Sequence, residues 1–296
     1  MVSDSKSSTP PDRHILGPQT EFEVVQGTHL DRRAWLEGQP YCPILDHHQI
    51  AHVGIMSAEA PFEVTRHNQS GTFMLSCYGG SGLILVDGSW QRLQAGEACL
   101  LPPFVQNSLR CEVGQSWQFS WVRYLESRNV NPIVSAHSPV SSQFSPDPLR
   151  RAIEGLRAET LAEASPAAMQ LWVDLIQTYV NRFAQPYQND SRLWRVWDEV
   201  ERNPGNPWSL AELASIASVS EEHLRRICKK ELGRSPMQHV TFLRIQRASH
   251  LLATTDEKIE TIAREVGYQS PFTFSTTFKN WVGWRPSEHR SRSAKG

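Results

Sequence analysis

The chain has 296 residues, enough for two ordinary domains, and its 39% hydrophobic and 21% charged residues are typical of a globular protein. No apolar run is long enough to span a membrane, and five scattered cysteines without a Cys-x-x-Cys pair fit a reducing cytoplasm. The net charge of −1 hides an asymmetry, because residues 191–296 carry 17 basic and 12 acidic side chains whereas residues 1–190 carry 13 and 19. The basic C-terminal part is typical of phosphate binding, and its modest excess of charge predicts that two copies act on one site.

The N-terminal part begins without a regular pattern. Residues 1–20 are predicted to be a disordered N-terminus, because Met1–Asp12 is rich in Ser and Pro and lacks the apolar segment of a signal peptide. Between Glu21 and about His52, scattered aromatic residues indicate a packed but irregular approach to a first sheet.

A series of short strands follows from residue 51. Alternating apolar residues predict eight strands at 51–56, 62–66, 72–78, 82–86, 89–93, 98–101, 108–113 and 118–124. Asp87-Gly88 lies between two of these strands and predicts a hairpin with a type I′ turn. Eight short strands with turns between them favour a small β-barrel or sandwich over residues 21–145.

The last predicted strand carries bulky residues at alternate positions. Trp117, Phe119, Trp121 and Arg123 therefore share one face. An inward Trp offers a flat plate for a sugar ring and Arg a polar anchor, which makes the barrel mouth a candidate small-molecule site. In an equally favoured interpretation, the aromatic residues simply fill the barrel.

Residues 146–185 predict two amphipathic helices. The second has a wide apolar stripe made of Met169, Trp172, Val173, Ile176, Tyr179, Val180 and Phe183. We expect this stripe to be a dimerisation surface; the alternative is that it packs on its own barrel. Residues 186–191 are predicted to form a linker, which leaves residues 192–296 as the second domain.

The second domain contains two successive pairs of helices. In the first pair, residues 209–232, Ser209 and Glu212 form a capping box, and Ser220 begins a second helix. One face of that helix is apolar, and the opposite face carries Glu222, Arg225, Arg226 and Lys229. Such a helix suits the DNA major groove.

The second pair covers residues 259–282, with Gly267 at the end of its first helix. Its second helix begins near Pro271 and spaces Phe274, Phe278, Trp281 and Val282 for burial. A long helix from Pro236 to about Thr254 connects the pairs and fixes their separation.

Several spaced motifs in this domain resemble one family. These motifs are Leu-Arg-Arg (224–226), Gly-x-Ser-Pro (233–236), Ile-Ala-x-x-Val-Gly-Tyr-x-Ser (262–270), Phe-Ser-x-x-Phe-Lys (274–279) and Gly-x-x-Pro (283–286). They are similar to the signature of the AraC/XylS family of bacterial transcription regulators. The resemblance implies a DNA-binding domain of about seven helices, with two helix-turn-helix units that enter successive segments of the major groove.

The resemblance also assigns DNA contacts. It places base contacts at Glu222, Arg225 and Arg226, and phosphate contacts at Lys229 and Lys230. In the second pair, the family often has Arg where Thr276 stands, so we expect weaker hydrogen-bond readout there and apolar contact with thymine methyl groups. The full set of predicted DNA-binding residues is Ser220, Glu222, His223, Arg225, Arg226, Lys229, Lys230, Gln269, Ser270, Pro271, Phe272, Thr276, Lys279 and Asn280.

Weaker motifs in the N-terminal part, at residues 80–88, 93–97 and 101–103, resemble the cupin-type sensor domain that precedes this DNA-binding domain in many family members. The predicted fold is therefore α+β, with a cupin-like β-barrel and helical hairpin followed by an all-α domain. The candidate ligand-binding residues are Arg66, Tyr78, Asn107 and Trp121.

Some cupins are metal enzymes, which leaves an alternative function. A cupin metal site needs about three His residues and a carboxylate, whereas His67 is alone, Asn107 stands where a His is common, and His47 and His48 are adjacent. We therefore expect no catalytic residues, no metal and no cofactor. A cupin-type metal enzyme with a DNA-binding tail, and a barrel that binds a protein partner, remain alternatives.

The predicted protein is a cytoplasmic, ligand-responsive regulator that forms a homodimer. Its expected partners are double-stranded DNA and a small-molecule effector such as a sugar; RNA polymerase is a further candidate, and no membrane contact is expected.

Overall fold

The computed structural model describes residues 12–29, 33–67, 71–103, 105–126, 133–136, 138–162, 165–185 and 191–293. Residues 1–11 of the predicted disordered N-terminus and residues 186–190 of the predicted linker lie outside these ranges. The described residues form a two-domain α+β molecule in which a curled antiparallel sheet is followed by helices.

All ten described strands belong to one sheet, and every described pairing is antiparallel. The strands are β1 (Arg13–Leu16), β2 (Glu21–Gln26), β3 (Ile50–Glu59), β4 (Phe62–Arg66), β5 (Phe73–Val86), β6 (Ser89–Gln94), β7 (Glu97–Leu101), β8 (Asn107–Arg110), β9 (Ser116–Tyr124) and β10 (Ser141–Gln143). Their main order is β1-β4-β8-β5-β9-β3-β2; β6 and β7 pair with β5, and β10 pairs with β7.

The first strands differ from the sequence prediction. Residues 13–16, placed by that prediction in a disordered N-terminus, form β1, which pairs with residues 62–65 of β4. Residues 21–26 form β2 along the edge of β3. Neither segment has a strict two-residue period of apolar residues. Both strands therefore depend on hydrogen bonds from their neighbours, β4 for β1 and β3 for β2.

β5 replaces two predicted strands with one. Gly79 and Gly80 suggest a turn in the sequence, but the chain continues through them with a register shift opposite β9. A Cβ atom at Gly80 would lie 1.9 Å from the Ser116 carbonyl oxygen, so glycine permits the close approach of the two strands. The turn at Asp87-Gly88 has positive φ at both residues (52° and 73°), as a type I′ hairpin requires.

The two faces of the curled sheet are both covered. The inner face packs into one hydrophobic cluster that includes Phe62, Phe73, Trp117, Phe119 and Trp121. The outer face packs against helices α1 (Pro43–His47), α2 (Pro146–Leu161) and α3 (Pro166–Ala184).

The apolar stripe of α3 does not form a free surface. Met169, Val173, Ile176, Val180 and Phe183 are buried within the chain, and the partly buried Trp172 and Tyr179 pack against the same cluster. The prediction of a dimer surface on this stripe is therefore corrected, because the outer face of the sheet and α2 already cover it.

Seven described helices form the C-terminal domain. They are α4 (Ser191–Arg202), α5 (Leu210–Ala217), α6 (Glu221–Leu232), α7 (Pro236–Thr254), α8 (Ile259–Glu265), α9 (Pro271–Val282) and α10 (Pro286–Ser293). Their positions agree with the helix boundaries expected from the sequence for both pairs. None of the helices in the described residues has the length and hydrophobicity needed to cross a membrane.

Candidate DNA-binding surface and ligand pocket

The first pair is built from α5 and α6, and local capping sets both helices. Ser209 and Glu212 cap each other's backbone N–H groups at the start of α5 in a reciprocal capping box. Ser218 then adopts a left-handed conformation, with φ of 56°, which ends α5. The side chain of Ser220 accepts the His223 N–H at 3.2 Å and starts α6.

α6 has one buried and one exposed face. Leu224, Cys228 and Leu232 are buried in the core. The opposite face exposes the predicted DNA contacts Glu222, Arg225, Arg226, Lys229 and Lys230. This face therefore presents four cationic side chains on a helix that its apolar side holds in place.

Neighbours on α6 organise the two arginines. Arg225 Nη2 lies 3.4 Å from Glu221 Oε2, and Arg226 Nη2 lies 3.3 Å from His223 Nδ1. These contacts join exposed side chains at helical spacing and are individually weak. The guanidinium groups are thus available to exchange them for contacts with bases.

The second pair consists of α8 and α9. Ser270 caps α9 by accepting the Thr273 N–H at 3.4 Å, and Phe274 and Phe278 are buried in a separate core. Phe272, by contrast, is 80% exposed in the first turn of α9. A large apolar side chain in this position is a feature that the polar face of α6 lacks.

The remaining predicted contacts of α9 are polar or small. Ser270 and Pro271 are half-buried, whereas the exposed members are Gln269, Thr276, Lys279 and Asn280.

α7 joins the two pairs. Its residue Leu243 belongs to the core shared with the first pair, whereas Ile245, Ala248 and Leu252 belong to the core of the second pair. Arg244, between these positions, donates to the Pro204 carbonyl oxygen at 2.9 Å. A single helix therefore carries both cores at a set distance along its axis.

Three of the four candidate ligand residues lie on the inner face of the sheet. Arg66 of β4 and Asn107 of β8 are direct cross-strand partners, and both are buried. Trp121 of β9 is also buried, and its Nε1 donates to His52 Nδ1 at 2.8 Å. Tyr78 is on the outer face, where its ring lies beneath the Arg150 guanidinium of α2 at 5.3 Å. The structure thus separates Tyr78 from the other three.

His52 is a central inner-face residue that the sequence analysis did not select. It is fully buried and pairs with Arg123 across β3 and β9, and Arg33 Nη2 lies 3.0 Å from its Nε2. Burial is the main reason that the pKa of His52 lies well below its ordinary value, and the positive charges of Arg33 and Arg123 act in the same direction. The imidazole is therefore neutral. The sequence feature that could have predicted its inward position is the two-residue alternation of β3, which places His52, Gly54 and Met56 on the same face.

A cleft lies elsewhere, between the domains. It has a volume of about 1180 Å³ and is lined by parts of the β7–β8 connection, α4 and α7, including Pro102, Val105, Phe242 and Arg247. None of the four candidate ligand residues lines it.

No group of three His, Cys, Asp or Glu side chains suited to hold a metal ion occurs within the described ranges. His47 ends α1 and His48 follows it, so these residues are not on a strand, and the His67 N–H donates to Asp12 Oδ1 at 2.8 Å. Each of the five cysteines is a buried free thiol.

Comparison with known proteins bears on the C-terminal domain. Residues 213–292, which include most of the first pair and all of the second, match the family model described as a helix-turn-helix domain. A 101-residue stretch is 36% identical to an uncharacterised HTH-type transcriptional regulator of Haemophilus influenzae, and covers 34% of each chain. The C-terminal domain belongs to the AraC family. Its resemblance to the AraC/XylS signature in the sequence is confirmed.

Two further similarities extend the comparison. Over 230 residues, 71% of this chain and 80% of the relative, the protein is 24% identical to a lactose operon transcription activator of Staphylococcus xylosus. A solved AraC-type regulator from Chromobacterium violaceum is 32% identical over 35% of this chain and 93% of its own, with a TM-score of 0.34. The chain spans about a third of the length of the Haemophilus relative.

Proposed function

We propose that this protein is a sequence-specific DNA-binding transcription regulator, in which both pairs of helices act as helix-turn-helix units and a cupin-like N-terminal domain senses a small molecule. The observation that carries the proposal is the exposed face of α6, where Arg225 and Arg226 stand opposite the buried Leu224 and Cys228. An α-helix fits the major groove, and guanidinium groups form paired hydrogen bonds with guanine. We propose no catalytic role for the chain.

The two pairs contribute different contacts in this proposal. α6 supplies base readout through Glu222, Arg225 and Arg226, with Lys229 and Lys230 on phosphates. α9 supplies apolar contact through Phe272, with Gln269, Ser270, Lys279 and Asn280 near phosphates. Pro271 and Thr276 complete its groove-facing side.

Selection of bound duplexes from a random pool by the full-length protein tests the function. We expect one enriched sequence with two segments about one helical turn apart, and binding that weakens steeply as salt is raised. Absence of enrichment over random competitor at moderate salt would contradict the proposed function.

Phe272 gives a prediction about the second DNA segment. Replacing thymine by uracil there removes only the C5 methyl group, and we expect it to weaken binding of the wild-type protein by about 1 kcal/mol, since each apolar CH₂-sized group buried is worth about 0.8 kcal/mol. In the Phe272→Ala variant the same DNA change is expected to have no further effect. Fluorescence anisotropy on the four protein and DNA combinations measures this coupling. Additive losses would show that Phe272 does not contact the methyl groups.

The ligand proposal concerns the inner face of the sheet. Arg66, Asn107 and Trp121 lie there together and are the proposed ligand contacts. Tyr78 lies on the other face, against Arg150 of α2, so we propose for it only an indirect effect on ligand binding. The relative from Staphylococcus xylosus is named for a lactose operon, which supports a sugar as the effector. Thermal-shift screening with sugars tests the proposal, because a ligand that binds the folded state raises the melting temperature. Stoichiometric metal in the purified protein would instead favour the cupin enzyme.

A homodimer is proposed through the outer face of α3. Leu171 and Leu175, one turn apart, are 67% and 39% exposed, on the side of α3 opposite its buried stripe. We expect Leu171→Asp to shift the protein from dimer to monomer in analytical ultracentrifugation, because a carboxylate in an apolar interface is costly. Val113→Asp, at a 93% exposed apolar residue in the turn between β8 and β9, is the matched control and should leave the dimer intact. A dimer that persists in Leu171→Asp would place the interface elsewhere.

A further inference from the structure

The turn between β5 and β6 reaches the DNA-binding domain. Its residue Asp87 binds Arg234 through two contacts, Nε to Oδ2 at 2.6 Å and Nη2 to Oδ1 at 3.0 Å. The Arg234 side chain is only 3% exposed and also stacks on the Phe242 ring at 3.9 Å. Arg234 lies between Gly233, which ends α6, and Ser235, which caps α7. This buried, two-pronged ion pair thus attaches the sheet to the junction of α6 and α7.

The same turn also contacts the end of α9. A Cβ atom at Gly88 would lie 2.2 Å from the Asn280 carbonyl oxygen, so the turn backbone and α9 are in direct contact. Beside it, the Gln106 N–H donates to the Val282 carbonyl oxygen at 2.9 Å. These contacts engage carbonyl groups in the last turn of α9, which have no partner within the helix.

β10 and the residue before it bind the end of α6 in a similar way. The Val140 N–H donates to the Leu232 carbonyl oxygen at 2.9 Å, and Ser142 Oγ donates to the Lys230 carbonyl oxygen at 3.0 Å. The C-terminal ends of α6 and α9 are therefore both held by one domain, while the polar face of α6 and Phe272 of α9 remain exposed.

The packing shows why these contacts matter for α9 in particular. The first pair shares one continuous hydrophobic cluster with α2 and α3, whereas the second pair has a core of its own. The first pair is thus fixed to the N-terminal domain by apolar packing. The second pair is joined to it by α7 and by the contacts of Gly88 and Gln106.

We propose that the Asp87-Gly88 turn is an interdomain clamp that holds α6 and α9 in one mutual arrangement, ready to bind two segments of a single DNA site. This inference rests on the proposed DNA-binding function. A clamp of this kind lowers the free-energy cost of ordering the protein on DNA. Once α6 has bound its segment, α9 is already aligned with the next one. It also gives the sheet a direct physical route to the DNA-binding helices.

The test uses the full-length Asp87→Asn variant. Asn-Gly is a favoured type I′ turn, so the hairpin is retained while the charge of the ion pair is lost. We compare two duplexes: the selected site, and the same site with the segment for α9 scrambled. Base changes in the segment bound by α6 should weaken binding of the wild-type protein but not of the Arg226→Ala variant. This difference identifies that segment, and the other segment is then the one for α9.

We expect Asp87→Asn to weaken binding to the intact site about tenfold, equivalent to about 1.4 kcal/mol, and to change binding to the scrambled site less than twofold. Arg234→Lys keeps the charge but not the two-pronged geometry, and is expected to shift binding in the same direction by a smaller factor. Arg92→Ala, on β6 of the same hairpin, removes an ion pair of 2.6 Å with Glu112 of the β8–β9 connection and should bind both duplexes like the wild type.

Three results would overturn the clamp: wild-type binding by Asp87→Asn on both duplexes, tighter binding to the intact site, or an equal loss on both. Circular dichroism and melting curves show whether Asp87→Asn is folded. If it is not, binding of Arg234→Lys to the two duplexes tests the clamp instead. Failure of the proposed function is a separate result, since the wild-type protein would then prefer no duplex at all.

Discussion

Replacing Arg225 or Arg226 by alanine is expected to weaken specific DNA binding by about 1–3 kcal/mol for each residue. Both guanidinium groups are exposed on α6, and their present partners, Glu221 and His223, are exposed neighbours that can be exchanged for bases. A guanine that loses a paired hydrogen bond also loses its advantage over other bases, so specificity at that position should relax. Anisotropy titrations on the selected duplex and on single-base variants measure both effects.

Matched variants separate base readout from general electrostatics. Arg195→Ala removes the same charge from an exposed position on α4, outside both pairs, and should have little effect. Lys229→Ala should weaken binding to all DNA sequences alike. It should also reduce the slope of the logarithm of the binding constant against the logarithm of salt concentration by about one. Thr276→Ala on α9 should cost much less than either arginine change. Equal losses at Arg225, Arg226 and Thr276 would contradict the division of contacts between the two pairs.

Phe278→Ala is expected to lower the free energy of unfolding by about 3–5 kcal/mol, the usual cost of removing a buried aromatic side chain. Phe278 is fully buried and lies 5.6 Å, centroid to centroid, from Phe274 in the small core of the second pair. That core is small and separate from the larger cluster, so few residues can shift to fill the cavity. Urea denaturation of the full-length protein, followed by circular dichroism, measures the change.

Phe272→Ala provides the same chemical change on the same helix. Because Phe272 is 80% exposed, its removal should alter the free energy of unfolding by no more than about 0.5 kcal/mol while it weakens DNA binding. The pair of variants therefore separates a scaffold residue from a groove-facing one. A comparable loss of stability in both would show that Phe272 packs against the protein rather than facing DNA.

The helices of the C-terminal domain could be predicted closely because their signals are local. Ser209 caps α5 and Ser220 caps α6, as predicted, and Gly267, predicted at the end of the first helix of the second pair, has a positive φ of 88° just after α8. The strands were predicted less completely. β1 and β10 have only four and three residues, and each exists because a distant strand supplies its hydrogen bonds.

The candidate sites divide in the same way. The exposed face of α6 follows from the helical period, so Glu222, Arg225 and Arg226 could be selected from the sequence. The face on which Tyr78 lies could not be predicted from the sequence. The bulge between Cys77 and Gly79 interrupts the alternation of inward and outward side chains along β5. The inward position of His52, beside Trp121 and Arg33, likewise depends on a register between separate strands.

The sequence by itself determined the two pairs of helices, their capping residues and the cationic face of α6, because hydrophobic period and capping act over a few residues. The tertiary structure alone decided that Asp87 meets Arg234, 147 positions away, and that the stripe of α3 is covered by its own domain. A local pattern states which side chains share a face. Only the packing of separate elements determines what that face contacts.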